Sequence, residues 1–186
     1  MITTTTPTAS AFEQWCVSYR TVEHLCLACT TLVTFDDIAG QTSTSGVVPN
    51  GYKNLNWVNA EYINVSTLPS NSGYRNGVRS PPYVVHSPTG ENMTITTANG
   101  TRFSFDSLRL ASAWRSNLTV IMRTLRNGIE TSLGIFILNP NLRIACSFCT
   151  NTDTITFVPQ GGVPRFNTTQ NGTQFMVDNL CISFGR

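Results

Sequence analysis

The sequence predicts an all-β fold, an antiparallel β-sandwich or jelly roll of about eleven short strands behind an N-terminal Cys-containing arm. Three observations predict it. Short runs rich in Val, Ile, Phe, Thr and Leu recur at roughly ten-residue spacing. Gly, Pro and Asn punctuate almost every gap between them. No long segment keeps the 3.6-residue apolar period of an amphipathic helix.

Residues 1–29 form a leader and arm, and residues 30–186 the sandwich domain. Thr3 to Ser10 is a Thr/Pro/Ser run that cannot pack a core. The following stretch carries Phe12, Trp15, Val17, Tyr19, Val22, Leu25 and Leu27, whose spacing fits both a strand and a helix. An arm this apolar must lie on its own domain or on a neighbour. From Thr30 the strand rhythm begins: T-L-V-T-F-D-D-I over Thr31 to Ile38, then a Gly/Ser/Thr loop from Gly40 to Tyr52 with Pro49-Asn50-Gly51 as a turn. Leu55 to Trp57 and Tyr62 to Val65 read as strands, and Leu68 to Pro82 as loop. Tyr83 to His86, Met93 to Thr97, Arg102 to Phe105, Leu108 to Trp114, Leu118 to Leu125 and Thr131 to Leu138 follow. Leu142 to Phe148, Thr154 to Val158 and Gln174 to Phe184 complete the series. Asn99-Gly100 and Asn127-Gly128 are read as hairpin turns, because both residue types tolerate the left-handed backbone that such turns require.

Charged residues make up 12% of the 186-residue chain, well below the roughly 25% usual for soluble domains. Serine and threonine number 43 and asparagine 17, so the surface is uncharged but hydrogen-bonding. The net charge of +2, with Lys53 as the one lysine and the arginines scattered, gives no footprint for nucleic acid. Six cysteines, Cys16, Cys26, Cys29, Cys146, Cys149 and Cys181, are read as disulfide partners in an oxidising compartment. Six N-glycosylation sequons occur, at Asn64, Asn92, Asn99, Asn117, Asn167 and Asn171, against roughly four expected by chance from this composition. No apolar run is long enough for a transmembrane helix. The first residues lack the basic and apolar regions of a signal peptide. A secreted, extracellular glycoprotein carrying N-linked glycans is the expected compartment and chemistry.

Four stretches in order carry a resemblance: V-T-F-D-D-I, P-N-G-Y-K-N-L-N-W-V-N from Pro49, F-S-F-D-S-L-R-L-A-S-A-W from Phe103, and F-M-V-D-N-L-C-I from Phe175. Together, over residues 31 to 184, the chain resembles secreted jelly-roll β-sandwich domains akin to carbohydrate-binding modules, which open with F-D-D and close with D-N-[I/L]. The resemblance implies that the first and last strands lie side by side. It also implies a structural calcium near that seam, held by Asp36 or Asp37 with Asp178; carboxylates and loop carbonyls are the hard oxygen donors such an ion takes. The alternative is that these groups only hydrogen-bond local backbone. With those strands adjacent, Cys29–Cys181 is a reasonable bridge, leaving Cys16 with Cys26 and Cys146 with Cys149.

Other constellations are weighed against it. Cys16, His24, Cys26 and Cys29 have a spacing compatible with zinc, but a secreted composition favours disulfides. Tyr52, Trp57 and Tyr74 are candidate carbohydrate contacts, Tyr52 and Tyr74 because they fall in loops. Trp57 and Trp114 are embedded in strand text, and core is the favoured reading for both, more so for Trp114. None of the familiar nucleophile, phosphate-loop, dinucleotide or zinc-protease motifs occurs, and no enzyme activity is expected. Two functions remain. One is a structural subunit that self-associates into an extracellular homopolymer (a filament, coat or sheath) through its arm. The alternative is a lectin-like carbohydrate-binding module.

Overall fold

The computed structural model describes residues 29–140, 144–165 and 172–185, and the backbone alone of 144–150. Cys16, His24, Cys26, Asn167 and Asn171 lie outside the described residues, as do the side chains of Cys146 and Cys149.

Twelve strands are present among the described residues: β1 (Thr31–Val33), β2 (Ser45–Val47), β3 (Leu55–Val58), β4 (Glu61–Asn64), β5 (Tyr83–His86), β6 (Met93–Thr97), β7 (Phe103–Ser112), β8 (Arg115–Arg126), β9 (Ile129–Leu138), β10 (Ile144–Thr152), β11 (Thr154–Pro164) and β12 (Phe175–Phe184). They build two antiparallel sheets. A seven-stranded sheet runs β10-β7-β12-β5-β4-β2, with β1 also on β12, and a five-stranded sheet runs β3-β6-β11-β8-β9. The alternating strands of the smaller sheet turn Leu55, Trp57, Met93, Ile95, Leu118, Val120, Phe136 and Phe157 inward, where Val33, Phe35, Phe105, Leu110 and Val177 of the larger sheet and its turn meet them. That interdigitated layer is the core expected of two packed sheets.

The central strands β7 and β12 are buried on both faces, a pattern that needs cover outside the sandwich. The short helix α1 (Gly73–Gly77) supplies part of it. It packs Tyr74 against Trp114, Val84, Ala111 and Met176 as a second small core. Gly73 is held there by its approach to β7: a Cβ at this position would lie 1.7 Å from the Ser112 carbonyl oxygen.

The structure corrects the sequence reading in three places. The Gly40–Tyr52 and Leu68–Pro82 loops contain β2 and α1. The two runs Arg102–Phe105 and Leu108–Trp114 are one strand, β7. Asn99-Gly100 is not a hairpin turn: β6 and β7 lie in different sheets. Only Gly100 of the pair has positive φ (75°), so a type I′ turn is not formed. At Asn127-Gly128 both residues are left-handed (50° and 76°), and the hairpin β8–β9 follows.

Candidate functional site at the Asp37–Lys53–Tyr52 corner

The first strand determines the site. Its closing residue pairs lie against β12, with Thr31 opposite Ile182 and Leu32 opposite Cys181, and Cys29 is disulfide-bonded to Cys181. After Val33 the chain turns sharply. Phe35 takes a left-handed backbone (φ 68°), uncommon for a bulky side chain and sustained only where packing over-determines it. Here the packing is the Phe35 ring itself, fully buried, 5.5 Å edge-on to Trp57 and 6.1 Å from Tyr52. With Phe35 pinned inward, the next two carboxylates are sent in different directions.

Asp37 turns outward to meet a second strained segment. Gly51, Lys53 and Asn54 all have positive φ (88°, 53° and 61°), which curls the chain into a tight turn before β3. That turn aims Tyr52 and the chain's one lysine at Asp37: the Tyr52 hydroxyl donates to Asp37 Oδ1 at 2.6 Å and Lys53 Nζ lies 2.5 Å from Oδ2. The ammonium also sits 5.6 Å over the Tyr52 ring, within cation–π range. Lys53 and Tyr52 hold the Asp37 carboxyl below its ordinary range. Burial, then the bond to Asp37, pushes the Tyr52 phenol well up. The pair stays open to solvent, with side-chain exposures of 30% for Lys53 and 56% for Asp37. Trp57 supports the turn from below, its backbone N–H donating to Asn50 Oδ1 at 2.8 Å and its indole N–H to the Tyr52 carbonyl at 3.4 Å.

Asp36 turns the other way, where Tyr83 N–H donates to its Oδ1 at 3.1 Å and Thr34 and Ser80 add side-chain hydrogen bonds. Burial raises its carboxyl above the ordinary value, these donors opposing the rise. Ser80 also reaches Asp178, so Asp36 and Asp178 meet through one serine. The Asp178 carboxylate accepts from Arg79 N–H at 2.6 Å and Ser80 N–H at 3.1 Å on Oδ2, and from Ser80 Oγ at 3.0 Å and Asn179 N–H at 2.8 Å on Oδ1. Three backbone N–H groups hold it, and the one Ser80 hydroxyl proton is shared with Asn179 Oδ1, which lies nearer at 2.6 Å. Burial still raises its carboxyl against those bonds. Calcium at Asp36 and Asp178 would have to displace these donors, and Asp37 is turned away from them toward Tyr52 and Lys53. The donor set therefore fits calcium poorly. Among the described residues no group of three or more His, Cys, Asp or Glu side chains is placed to hold a metal.

The three candidate carbohydrate contacts separate. Tyr74, expected on a loop surface, is 2% exposed, because α1 folds it under Trp114 and His86. Trp57 is 5% exposed and Trp114 is buried with it, as core. Of the three, Tyr52 alone stays partly exposed, packed against the core from outside. Of the sequons, Asn92, Asn99 and Asn117 are exposed. The Asn64 amide is engaged with Ser66 and with the Ser43 carbonyl. Sequence reasoning missed Lys53 as a site residue; the signal for it was its being the one lysine, next to a tyrosine, in a Pro-Asn-Gly turn.

No family model matches the sequence, and no curated protein matches it. Solved structures do. The crystal structure of a DUF4465 family protein from Bacteroides caccae superposes with a TM-score of 0.61 at 10% identity, covering 83% of this chain and 99% of that one. TmCBM61 in complex with beta-1,4-galactotriose gives a TM-score of 0.41 at 8% identity over 74% and 95% of the two chains. The family 32 CBM from C. perfringens NanJ in complex with galactose gives 0.40 at 11% over 75% and 99%. No helix among the described residues is long and apolar enough to cross a membrane. In its two-sheet architecture the chain is similar to the Bacteroides protein.

Proposed function

We propose that this protein is a secreted, non-catalytic binding module that takes a neutral glycan at the Asp37–Lys53–Tyr52 corner. The observation that supports the reading is an exposed carboxylate–ammonium pair on an aromatic base, held by left-handed backbone at Phe35, Lys53 and Asn54. A carboxylate accepts from adjacent sugar hydroxyls, an ammonium donates to their oxygens, and the partly exposed Tyr52 ring offers apolar surface for a pyranose C–H face. The buried disulfide partner Cys181 fits an oxidising compartment. Screening the protein on an array of neutral oligosaccharides is expected to give a selective response. In titrations of the best ligand, Asp37→Ala weakens binding by about tenfold or more, the cost of one lost charged hydrogen bond. The Asp37–Lys53 pair is solvent-exposed, so the variant keeps its melting temperature. A flat array, or an Asp37→Ala variant that binds as the parent does, overturns the reading.

Calcium has no part in this proposal. The clasp Asp36–Ser80–Asp178 holds the seam through protein donors, and neither EDTA nor millimolar calcium is expected to move the thermal midpoint. A calcium-dependent rise of several degrees would show that the ion displaces those donors and would restore the metal site.

A structural subunit of a filament, coat or sheath is the second reading. Val47 on the edge strand β2 and Ile135 and Ile137 on the edge strand β9 favour it: both sheets end in exposed aliphatic residues, as open head-to-tail addition would require. Electron microscopy of the purified full chain showing polymers supports it, and particles of only one or two copies exclude it.

A further inference from the structure

The smaller sheet ends in a strand that matches itself. β9 is hydrogen-bonded to β8 on one side, and among the described residues no strand pairs with its other side. A ten-residue edge of this kind presents a row of unpaired backbone groups, which native proteins usually blunt with proline, lysine, a bulge or an inward charge. β9 has an irregularity in its pairing only near its start, between Thr124 and Leu125 on the partner strand. Beyond it, residues 132–138 read S-L-G-I-F-I-L, with neither charge nor proline.

The outward side chains of that stretch are Leu133, Ile135 and Ile137, standing opposite Arg123, Ile121 and Thr119 of β8. Ile135 is 57% exposed and Ile137 47%. The apolar row continues inward through Ile121 to Val158 of β11. The charges nearest the stretch, Arg123 and Glu130, neutralise each other at 2.7 Å. Charge decides the kind of occupant. In an antiparallel two-fold pair the residue on the axis meets its own copy, so a charge there would repel itself, and the centre of this stretch is the uncharged Ile135.

We infer that β9 is the interface of a symmetric dimer in which two copies pair antiparallel about Ile135. The two five-stranded sheets then become one sheet of ten. In that register Ile135 faces Ile135 of the second copy, and Leu133 faces Ile137 twice. The result is three apolar cross-strand pairs on the outer face above a ladder of about six backbone hydrogen bonds. A strand pair of this length lies at the small end of specific interfaces, so dimerisation falls at micromolar concentration. The two-fold operator closes the assembly at two copies.

Sedimentation velocity of the full chain across the micromolar range tests this. The mass is expected to rise from one copy to two and no further. Ile135→Lys places two ammonium groups against each other at the axis and raises the dissociation constant by about tenfold or more. At an exposed position it leaves the melting temperature in place. The register has its own test. Leu133→Glu and Ile137→Lys each weaken the dimer alone, whereas the double variant puts a carboxylate opposite an ammonium in both halves and restores it. A strictly monomeric parent, assemblies larger than two, or an Ile135→Lys variant that dimerises like the parent each overturn the inference. So does a double variant weaker than either single one.

Discussion

Removing the Cys29–Cys181 bridge is expected to cost about 5 kcal/mol of stability, the largest effect of any single covalent change in the described part of the molecule. The two cysteines are 152 residues apart in sequence, so the bond closes nearly the whole sandwich into one loop. In the chain-entropy account the stabilisation grows with the logarithm of loop length, and a loop of this size lies at about 5 kcal/mol. The folded side of the balance also argues for a large effect. β1 has only three residues, paired with Leu180, Cys181 and Ile182, too short to hold itself in place. Yet it delivers Phe35 to the core and Asp37 to Lys53. A Cys29→Ala/Cys181→Ala variant should lower the thermal midpoint by about 10–20 °C in a chain of this size, with a shifted denaturant slope because its unfolded state is no longer cross-linked. The oxidised and reduced parent proteins should differ by the same amount. A loss below about 1 kcal/mol would mean that the closing strand β12 holds β1 without the bond.

The strand rhythm was legible because each strand of the smaller sheet is buried on one face only, and alternation survives in the letters. Trp57 between Asn56 and Val58 shows this: outward, inward and outward again. The adjacency of first and last strands was legible only through the resemblance of their motifs, and the structure does join Cys29 to Cys181. Other features were hidden because they depend on groups distant in sequence. Tyr74 reads as a loop residue, since nothing local announces that Gly73 will press α1 onto β7 and bury the ring. Asp36 and Asp37 look like a pair of ligands. Only the left-handed turn at Phe35, forced by Trp57 and Tyr52 from about twenty residues on, sends one to Ser80 and the other to Lys53. Asn99-Gly100 has the letters of a hairpin, but which strand β6 joins is settled by the core, and the core puts β7 in the other sheet. The β9 edge was read as an ordinary strand, because a sequence does not say which strand comes last.

Acid should destabilise this fold through His86, by about 3 kcal/mol between neutral pH and pH 4. The imidazole lies on β5 under α1, 8% exposed, and burial pushes its pKa down from 6.5 to about 4. The unfolded chain therefore takes up the proton near 6.5 while the folded chain refuses it until about 4. Across that window the unfolded state binds more protons, so stability is full above pH 6.5 and is lost as pH falls toward 4. A gap of about 2.5 pH units at 1.36 kcal/mol each gives the magnitude. The local hydrogen bond points the same way. The Tyr74 hydroxyl lies 2.9 Å from His86 Nδ1, and burial raises the phenol far above its ordinary pKa, so it stays a donor. A neutral Nδ1 accepts that proton; an imidazolium carries its own proton there and leaves the buried hydroxyl misdirected. Glu61 of β4 stands opposite His86 in the sheet and is the one carboxylate in register with it, a partial offset to the charged form. Asp36 and Asp178 act with the opposite sign. Their raised pKa values make the fold hold protons more tightly, so their contribution is full below 3.8 and is lost as pH rises through the raised values. They therefore mask the histidine most at the acid end of the window, and the upper part of it, just below pH 6.5, reads His86 most directly. Denaturant titrations at a series of pH values should show the parent losing stability through that range and His86→Gln staying nearly flat. Parallel curves for the two proteins would assign the acid sensitivity to other groups and would mean that the folded chain protonates His86 as readily as the unfolded one.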